Sequence, residues 1–171
     1  VERGVPAFGM PPSSFLLMKR GRIEVSEFGP LTRAVEIGLT PVIYGDVSFD
    51  LDKGFGIVSG DQIAALLAIK FGAARMVMAV DVDGIYTDDP NTDPSAQLIP
   101  HLRLDDLEQS KARLGRSKAT DVTGGMLGKV LELAEPIKEG IEVVVVSGVK
   151  PGRVYKALRG EQPIGTRITK A

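Results

Sequence analysis

Three short polar segments of the 171-residue chain carry the residue types that bind phosphate. They are Tyr-Gly-Asp-Val at residues 44–47, Ser-Gly-Asp-Gln at residues 59–62 and Asp-Val-Thr-Gly-Gly-Met-Leu-Gly-Lys at residues 121–129. Glycine lets the backbone approach a ligand closely, while lysines and the unpaired amides of a helix N-terminus attract anions. The combination therefore indicates phosphate binding. No Ser-His-Asp set and no cluster of metal-ligand residue types is apparent in the sequence.

The segment at residues 121–129 gives the strongest indication. Thr123 can cap a helix, and Gly124 and Gly125 leave the first turn without side chains. Helical side chains lean toward the N-terminus, so Lys129 can reach an anion bound there. Helical glycines cost roughly 0.5–1 kcal/mol each, which close approach to phosphate would explain. The alternative is a flexible loop with a solvated lysine, and the spacing is not that of a Walker A loop, because Val130 follows the lysine.

The other two segments have simpler explanations available. A tight turn accounts for residues 44–47 equally well, and Gly45 is the residue that would let backbone approach a ligand. Ser59 and Gln62 fit a capping box, and Asp61 is a favourable acid in the first turn of a helix. His101 is the only histidine and lies in a polar loop beside proline, which predicts a surface residue.

Alternating strands and helices are expected to position these segments. The strongest strands are uniformly apolar, which favours a single three-layer α/β/α domain with a largely parallel central sheet. In such sheets ligands bind beyond the carboxyl ends of strands. Strands are predicted at residues 5–10, 40–44, 54–58, 75–80, 142–147 and 165–168, a hairpin at 15–25, helices at 28–37, 62–70, 104–109, 126–137 and 152–158, and a long loop at 81–100.

Composition excludes several classes of protein. The 21 basic and 22 acidic residues are interspersed, so no basic block indicates nucleic-acid binding. The apolar stretches, such as residues 141–146, are too short to span a membrane. Cysteine is absent, which excludes disulfides and thiolate metal sites and is compatible with the expected cytoplasmic location. Residues 1–4 resemble the end of a helix with a glycine cap, so we expect further residues before Val1, a short ordered extension being the alternative.

A fourth segment, Val-Asp-Val-Asp-Gly-Ile-Tyr-Thr-Asp-Asp-Pro at residues 80–90, resembles the nucleotide loop of the amino-acid kinase family. Together with Val-Pro-Ala-Phe at residues 5–8 and Pro-Ser-Ser-Phe at residues 12–15, the four segments are similar to the isopentenyl phosphate kinases of that family. The resemblance covers essentially all 171 residues. The Asp-Val-Asp-Gly loop is family-wide, Asp-Val-Thr-Gly-Gly-Met is more specific, and fosfomycin-type kinases are also similar.

The resemblance implies ATP-dependent phosphorylation of isopentenyl phosphate with Mg²⁺, by a homodimer when complete. Asp61 would be the organising carboxylate, and Lys129 would stabilise the transferring phosphoryl group. The nucleotide would be bound by Asp81, Asp83, Gly84, Tyr86, Pro90, Gly125 and Lys129, the acceptor phosphate by Ser59 and Gly60, and the acceptor pocket would be lined by Gly45 and Asp46.

The sequence departs from the family pattern at its beginning. The family opens with a Lys-x-Gly-Gly strand, and the isopentenyl phosphate branch has a histidine that grips the acceptor phosphate; neither occurs here, and His101 lies in the wrong region for that role. We therefore expect the whole protein to be a kinase and this chain alone to be inactive or unstable. A non-catalytic nucleotide-binding module is the alternative from another functional class.

Overall fold

The computed structural model of the chain describes residues 4–106 and 132–170. The chain forms two compact units, residues 1–64 and residues 65–171. The interpretation of residues 1–171 as one domain stays a prediction.

The first unit contains two sheets and a short helix. β1 (Ala7–Gly9) pairs in parallel with β4 (Thr40–Val42), and α1 (Gly29–Glu36) contacts β4. A four-stranded sheet has the order β3-β2-β5-β6 and contains two antiparallel hairpins, β2–β3 and β5–β6, joined by parallel pairing of β2 with β5. Its strands are β2 (Leu16–Lys19), β3 (Arg22–Ser26), β5 (Asp46–Asp50) and β6 (Gly54–Val58).

Helix α2 (Gly60–Lys70) follows β6 and crosses the division between the units. The second unit contains a four-stranded sheet in the order β7-β9-β10-β8. β7 pairs in parallel with β9, and β8 with β10, whereas β9 and β10 are antiparallel. Within residues 65–106 and 132–170, the elements with described bounds are β7 (Arg75–Val80), β8 (His101–Arg103), α3 (Ala134–Lys138), β9 (Glu142–Ser147), α4 (Arg153–Leu158) and β10 (Gly165–Thr169).

Strand β9 is the centre of the second unit's core. Val143 and Val145 are buried on one face, while Val144 and Val146 pack with Ala157 of α4 on the other. Burial on both faces is what an uninterrupted apolar strand predicts. Because β7 and β9 are parallel, their carboxyl ends lie at the same edge of this sheet.

The predicted α/β class with mostly parallel strand pairing is confirmed. The hairpin, the strands at 54–58, 75–80 and 142–147 and the helices at 28–37 and 152–158 are present within a few residues of their predicted bounds. Leu104 to Asp106 are helical, and the rest of the helix predicted at 104–109 lies outside the described residues. The same holds for most of the helix predicted at 126–137, whose described end is followed by Gly140 at φ +85°.

Three local predictions are wrong. The strand predicted at residues 40–44 was expected to be buried, but β4 is exposed, with half of the Val42 side chain in contact with solvent. β5 was missed because its inward positions are polar: Ser48 and Asp50 are buried, while Val47 and Phe49 face outward. β8 was missed because three residues between a proline and a helix carry no strand pattern; its His101 is nevertheless exposed, as predicted.

None of the helices within residues 4–106 and 132–170 combines the length and the apolar character that a bilayer-spanning segment needs.

Candidate active site

Four of the predicted acceptor-site residues lie together in the first unit. β5 begins at Asp46 and β6 ends at Val58, and these two residues are paired in an antiparallel ladder. The residues just outside the ladder are Gly45 on one side and Ser59 and Gly60 on the other. All of them are exposed together with Asp46. The hairpin therefore presents Gly45, Asp46, Ser59 and Gly60 at one end, and their role on the acceptor side stays a prediction.

The close approach at this end requires a glycine at position 45. A Cβ atom there would lie 2.8 Å from the Gly60 amide nitrogen and 3.0 Å from the Val58 carbonyl oxygen. A Cβ atom at Gly60 would lie 3.5 Å from the Gly45 nitrogen, which is ordinary van der Waals contact. Gly45 thus lets two stretches of backbone meet, so its first role is within the protein.

The capping box considered for residues 59–62 does not form. The Ser59 hydroxyl oxygen accepts a hydrogen bond from the Asp61 amide at 3.2 Å, which is an ordinary N-cap bond to the second residue of the helix. The buried Gln62 side chain instead accepts a hydrogen bond from the Ile23 amide at 2.9 Å. Gln62 therefore ties the start of α2 to the β2–β3 hairpin, and Ser59 alone remains at the helix N-terminus.

The loop at residues 81–100 leaves the carboxyl end of β7 in the second unit, and it is called the nucleotide loop below because residues 80–90 were predicted to bind the nucleotide. Asp81 is exposed at its start. Asp83 is mostly buried and forms ion pairs with Lys150 at 2.8 Å and Arg153 at 3.0 Å, both of which follow β9. The hydrogen bond from Lys150, with the charge of Arg153, lowers the pKa of the Asp83 carboxyl below its usual value. Asp83 therefore anchors the loop to the neighbouring strand connection.

Gly84 is a second position at which the loop excludes a side chain. A Cβ atom there would lie 2.7 Å from the Thr166 hydroxyl and 2.9 Å from a Leu98 methyl carbon. Tyr86 is half-buried and forms an isolated antiparallel bridge with Leu98. Pro90 is also half-buried and lies within a turn in which the Asp89 side chain accepts a hydrogen bond from the Asn91 amide at 3.0 Å.

Gly125 and Lys129, predicted at the nucleotide phosphates, lie outside the described residues. Among residues 4–106 and 132–170, no group of three histidine, aspartate or glutamate side chains is arranged to hold a metal ion.

A cavity of about 650 Å³ in the second unit is lined partly by Arg75, Glu142 and Arg167. Arg75 and Glu142 begin β7 and β9, at the strand ends opposite Asp81, and the cavity contains none of the predicted site residues.

Sequence reasoning missed three residues that organise the nucleotide loop. Lys150 and Arg153 bind Asp83, and Thr166 contacts Gly84. The basic residues follow a buried strand at its carboxyl end, and that placement was a usable signal. Thr166 offered none, because threonine is common in strands and its neighbours predict an ordinary final strand.

Comparison with known proteins identifies the family. The model of the amino acid kinase family matches residues 1–147. An isopentenyl phosphate kinase from Methanothermobacter thermautotrophicus is 39% identical over 99% of this chain, and one from Methanocaldococcus jannaschii is 32% identical over 96%. The chain spans 63% and 58% of the lengths of these two relatives.

Solved structures show the same likeness. A structure described as an X-ray structure of isopentenyl phosphate kinase superposes with a TM-score of 0.80 at 32% identity. The superposition covers 98% of this chain and 60% of the other. The predicted resemblance and fold are thus supported along the whole described chain.

Proposed function

Because the chain belongs to the amino acid kinase family, we propose that the whole protein transfers the γ-phosphoryl group of ATP to isopentenyl phosphate, giving isopentenyl diphosphate and ADP. The acceptor is inferred from the relatives named isopentenyl phosphate kinase, which match nearly the full chain. The structural observation that carries the proposal is the exposed junction of Gly45 with Ser59 and Gly60, where backbone and a hydroxyl are open to a phosphate.

Ser59 is well suited to hold the acceptor phosphate. Its oxygen already accepts a hydrogen bond from the Asp61 amide, so its own hydrogen is available to donate to an anion. Gly60 begins α2, an eleven-residue helix whose first amides and dipole favour a negative group. In this proposal Asp61 is the carboxylate that orients the cationic groups around the reaction, and Gly45 and Asp46 line the acceptor pocket.

The nucleotide is proposed to bind at residues 81–90 and at Gly125 and Lys129. Asp81 and Tyr86 would contact it, with Gly84 and Pro90 shaping the loop. The ion pairs of Asp83 hold two basic side chains, Lys150 and Arg153, at this edge of the sheet, and basic side chains attract an anionic ligand. Lys129 would stabilise the charge on the transferring group, since phosphoryl transfer depends mainly on positioning and electrostatics.

ATP would bring Mg²⁺ with it, supplying the phosphoryl group together with a cation that neutralises its developing charge. The donor set fits this mode of binding. The described residues hold no ready-made metal cluster, and Mg²⁺ is commonly held by substrate phosphates with one or two carboxylates. The exposed Asp81 is a carboxylate in the appropriate region.

Two other functions are alternatives to the proposed one. A fosfomycin-type kinase or another kinase of this fold would use the same nucleotide half with a different acceptor. A non-catalytic nucleotide-binding module is the alternative from another functional class. A cytoplasmic location, a homodimer and inactivity of this chain alone also stay predictions.

A kinase assay with three different acceptors, each supplied separately, tests the proposed function. The whole protein is supplied with ATP, Mg²⁺ and isopentenyl phosphate, fosfomycin or glutamate, and ADP release is measured. Of the three acceptors, we expect only isopentenyl phosphate to be phosphorylated. We also expect Ser59→Ala to raise the KM for that acceptor about tenfold, as loss of one hydrogen bond to a charged group implies. Ser26→Ala, at the end of β3, is the matched control. Turnover of another acceptor in preference, or ATP binding without any transfer, would contradict the proposal.

A further inference from the structure

The two ends of the nucleotide loop meet in a short antiparallel arrangement. The Ile99 amide donates to the Ile85 carbonyl at 2.8 Å, and the Thr87 amide donates to the Gln97 carbonyl at 2.9 Å. Tyr86 and Leu98 form the bridge between these bonds. The outgoing and returning strands of the loop therefore form a neck, which we define as residues 85–87 with residues 97–99.

One side chain from outside the loop fastens both sides of this neck. Thr166 lies on β10, fully buried. Its hydroxyl oxygen accepts a hydrogen bond from the Ile85 amide at 2.8 Å. The same hydroxyl donates to the Ile99 carbonyl at 2.6 Å, the shorter of its two carbonyl contacts. The hydroxyl group thus accepts a hydrogen bond from one side of the neck and donates its only hydrogen to the other side.

Gly84 shows how closely the loop is held against this hydroxyl. A Cβ atom at position 84 would lie 2.7 Å from Thr166 Oγ1 and 2.9 Å from the Thr166 amide nitrogen. Neither distance is possible without moving the loop or the strand. The glycine of the Asp-Val-Asp-Gly motif is therefore needed for contact with Thr166, whatever it contributes to a ligand.

We propose that Thr166 is a positioning residue for nucleotide binding. It keeps residues 85–87 and 97–99 together, so that Asp81 and Tyr86 are held in the positions that bind the nucleotide. This inference rests on the proposed function, because it assumes that the loop binds ATP. Thr166 acts through the loop and does not contact the nucleotide. Valine has nearly the same shape but would leave the Ile85 amide and the Ile99 carbonyl without this partner in a buried place.

The test compares three substitutions on β10 in the whole protein. Thr166→Val removes the hydroxyl, Thr166→Ser keeps it, and Thr169→Val removes a hydroxyl from the same strand that contacts His101 instead of the loop. Hydrogen exchange of the Ile85 amide reports the bond itself, and titration calorimetry with Mg·ATP reports binding. Thermal unfolding of each variant reports overall stability.

We expect Thr166→Val to speed exchange at Ile85 and to weaken Mg·ATP binding at least about tenfold, because two partly buried hydrogen bonds that hold the loop are lost. Thr166→Ser should restore affinity to within about threefold, and Thr169→Val should bind like the wild type. Equal affinity of Thr166→Val and Thr169→Val would overturn the inference and leave the proposed function standing. Absence of Mg·ATP binding by the wild type would instead refute the proposed function, and the inference with it.

Discussion

The backbone of Gly45 lies against the backbone of Gly60, with room for no side chain at position 45. The contact joins the start of β5 to the start of α2, and it leaves Ser59 and Gly60 exposed beside it. In the proposed function this junction holds the acceptor phosphate. The glycines of the two motifs are thus coupled by packing before any ligand is considered.

Substitution of Gly45 by alanine should disturb this junction. The added Cβ atom would lie 2.8 Å from the Gly60 nitrogen, so backbone must shift, and we expect a loss of about 1–3 kcal/mol in unfolding free energy. Urea denaturation measures the loss. Gly9→Ala is the control, because a Cβ atom at Gly9 meets nothing within 4 Å. Equal stability of the two variants would show that the junction can relax freely.

Replacement of Asp83 by asparagine should loosen the nucleotide loop. The substitution leaves Lys150 and Arg153 without their shared carboxylate, whose side chain is only 19% exposed. We expect a loss of about 1–3 kcal/mol in unfolding free energy, as for hydrogen bonds to charged groups. Glu161→Gln is the control, since its ion pair with Arg159 is largely exposed and should contribute less than about 1 kcal/mol. Similar losses in both variants, measured by urea denaturation, would contradict a special role for Asp83.

Asp50 should make the stability of the first unit depend on acid pH. Its buried carboxylate accepts hydrogen bonds from the amides of Gly21, Asp52 and Lys53, and the bond from Gly21 is the largest cause that lowers its pKa to about 2. Because the folded pKa lies below the usual value of 3.8, the stabilisation is complete above about pH 4 and is lost as the pH falls toward 2.

Asp50→Asn gives the comparison for this pH dependence. The stability difference between wild type and variant, measured by urea denaturation, should be largest at pH 5 and should shrink between about pH 4 and pH 2. Asp52→Asn is the control, because that side chain is more exposed and pairs with Arg20 at the surface. A difference that stays constant over this range would show that the Asp50 carboxylate is not the titrating group.

Sequence patterns predicted the parts of the fold that depend on continuous apolar strands. β7 and β9 were predictable because burial on both faces demands uninterrupted apolar residues. β5 was not, because Ser48 and Asp50 point inward: the Ser48 hydroxyl donates to the Leu16 carbonyl, and Asp50 accepts a hydrogen bond from the Gly21 amide. Such inward polar residues are stabilised by long-range partners, which no local pattern contains.

The candidate site was predictable to a similar degree. The family resemblance pointed to Gly45, Gly60 and the loop at residues 81–90 as separate parts of the site, and the structure shows that Gly45 and Gly60 lie together. Thr166 could not be found in this way, because its partners Ile85 and Ile99 are distant in sequence and use only backbone atoms. Backbone partners leave no residue-type signal at their own positions.

Titration of this chain with Mg·ATP tests the central claim most directly. Wild type is compared by calorimetry with Lys129→Ala and with Lys156→Ala, which removes an exposed lysine from α4. The account predicts that the wild type and Lys156→Ala bind equally and that Lys129→Ala binds about tenfold or more weakly, because a charged contact to phosphate is lost. No binding by a chain shown to be folded, or equal binding by all three, would contradict the nucleotide site.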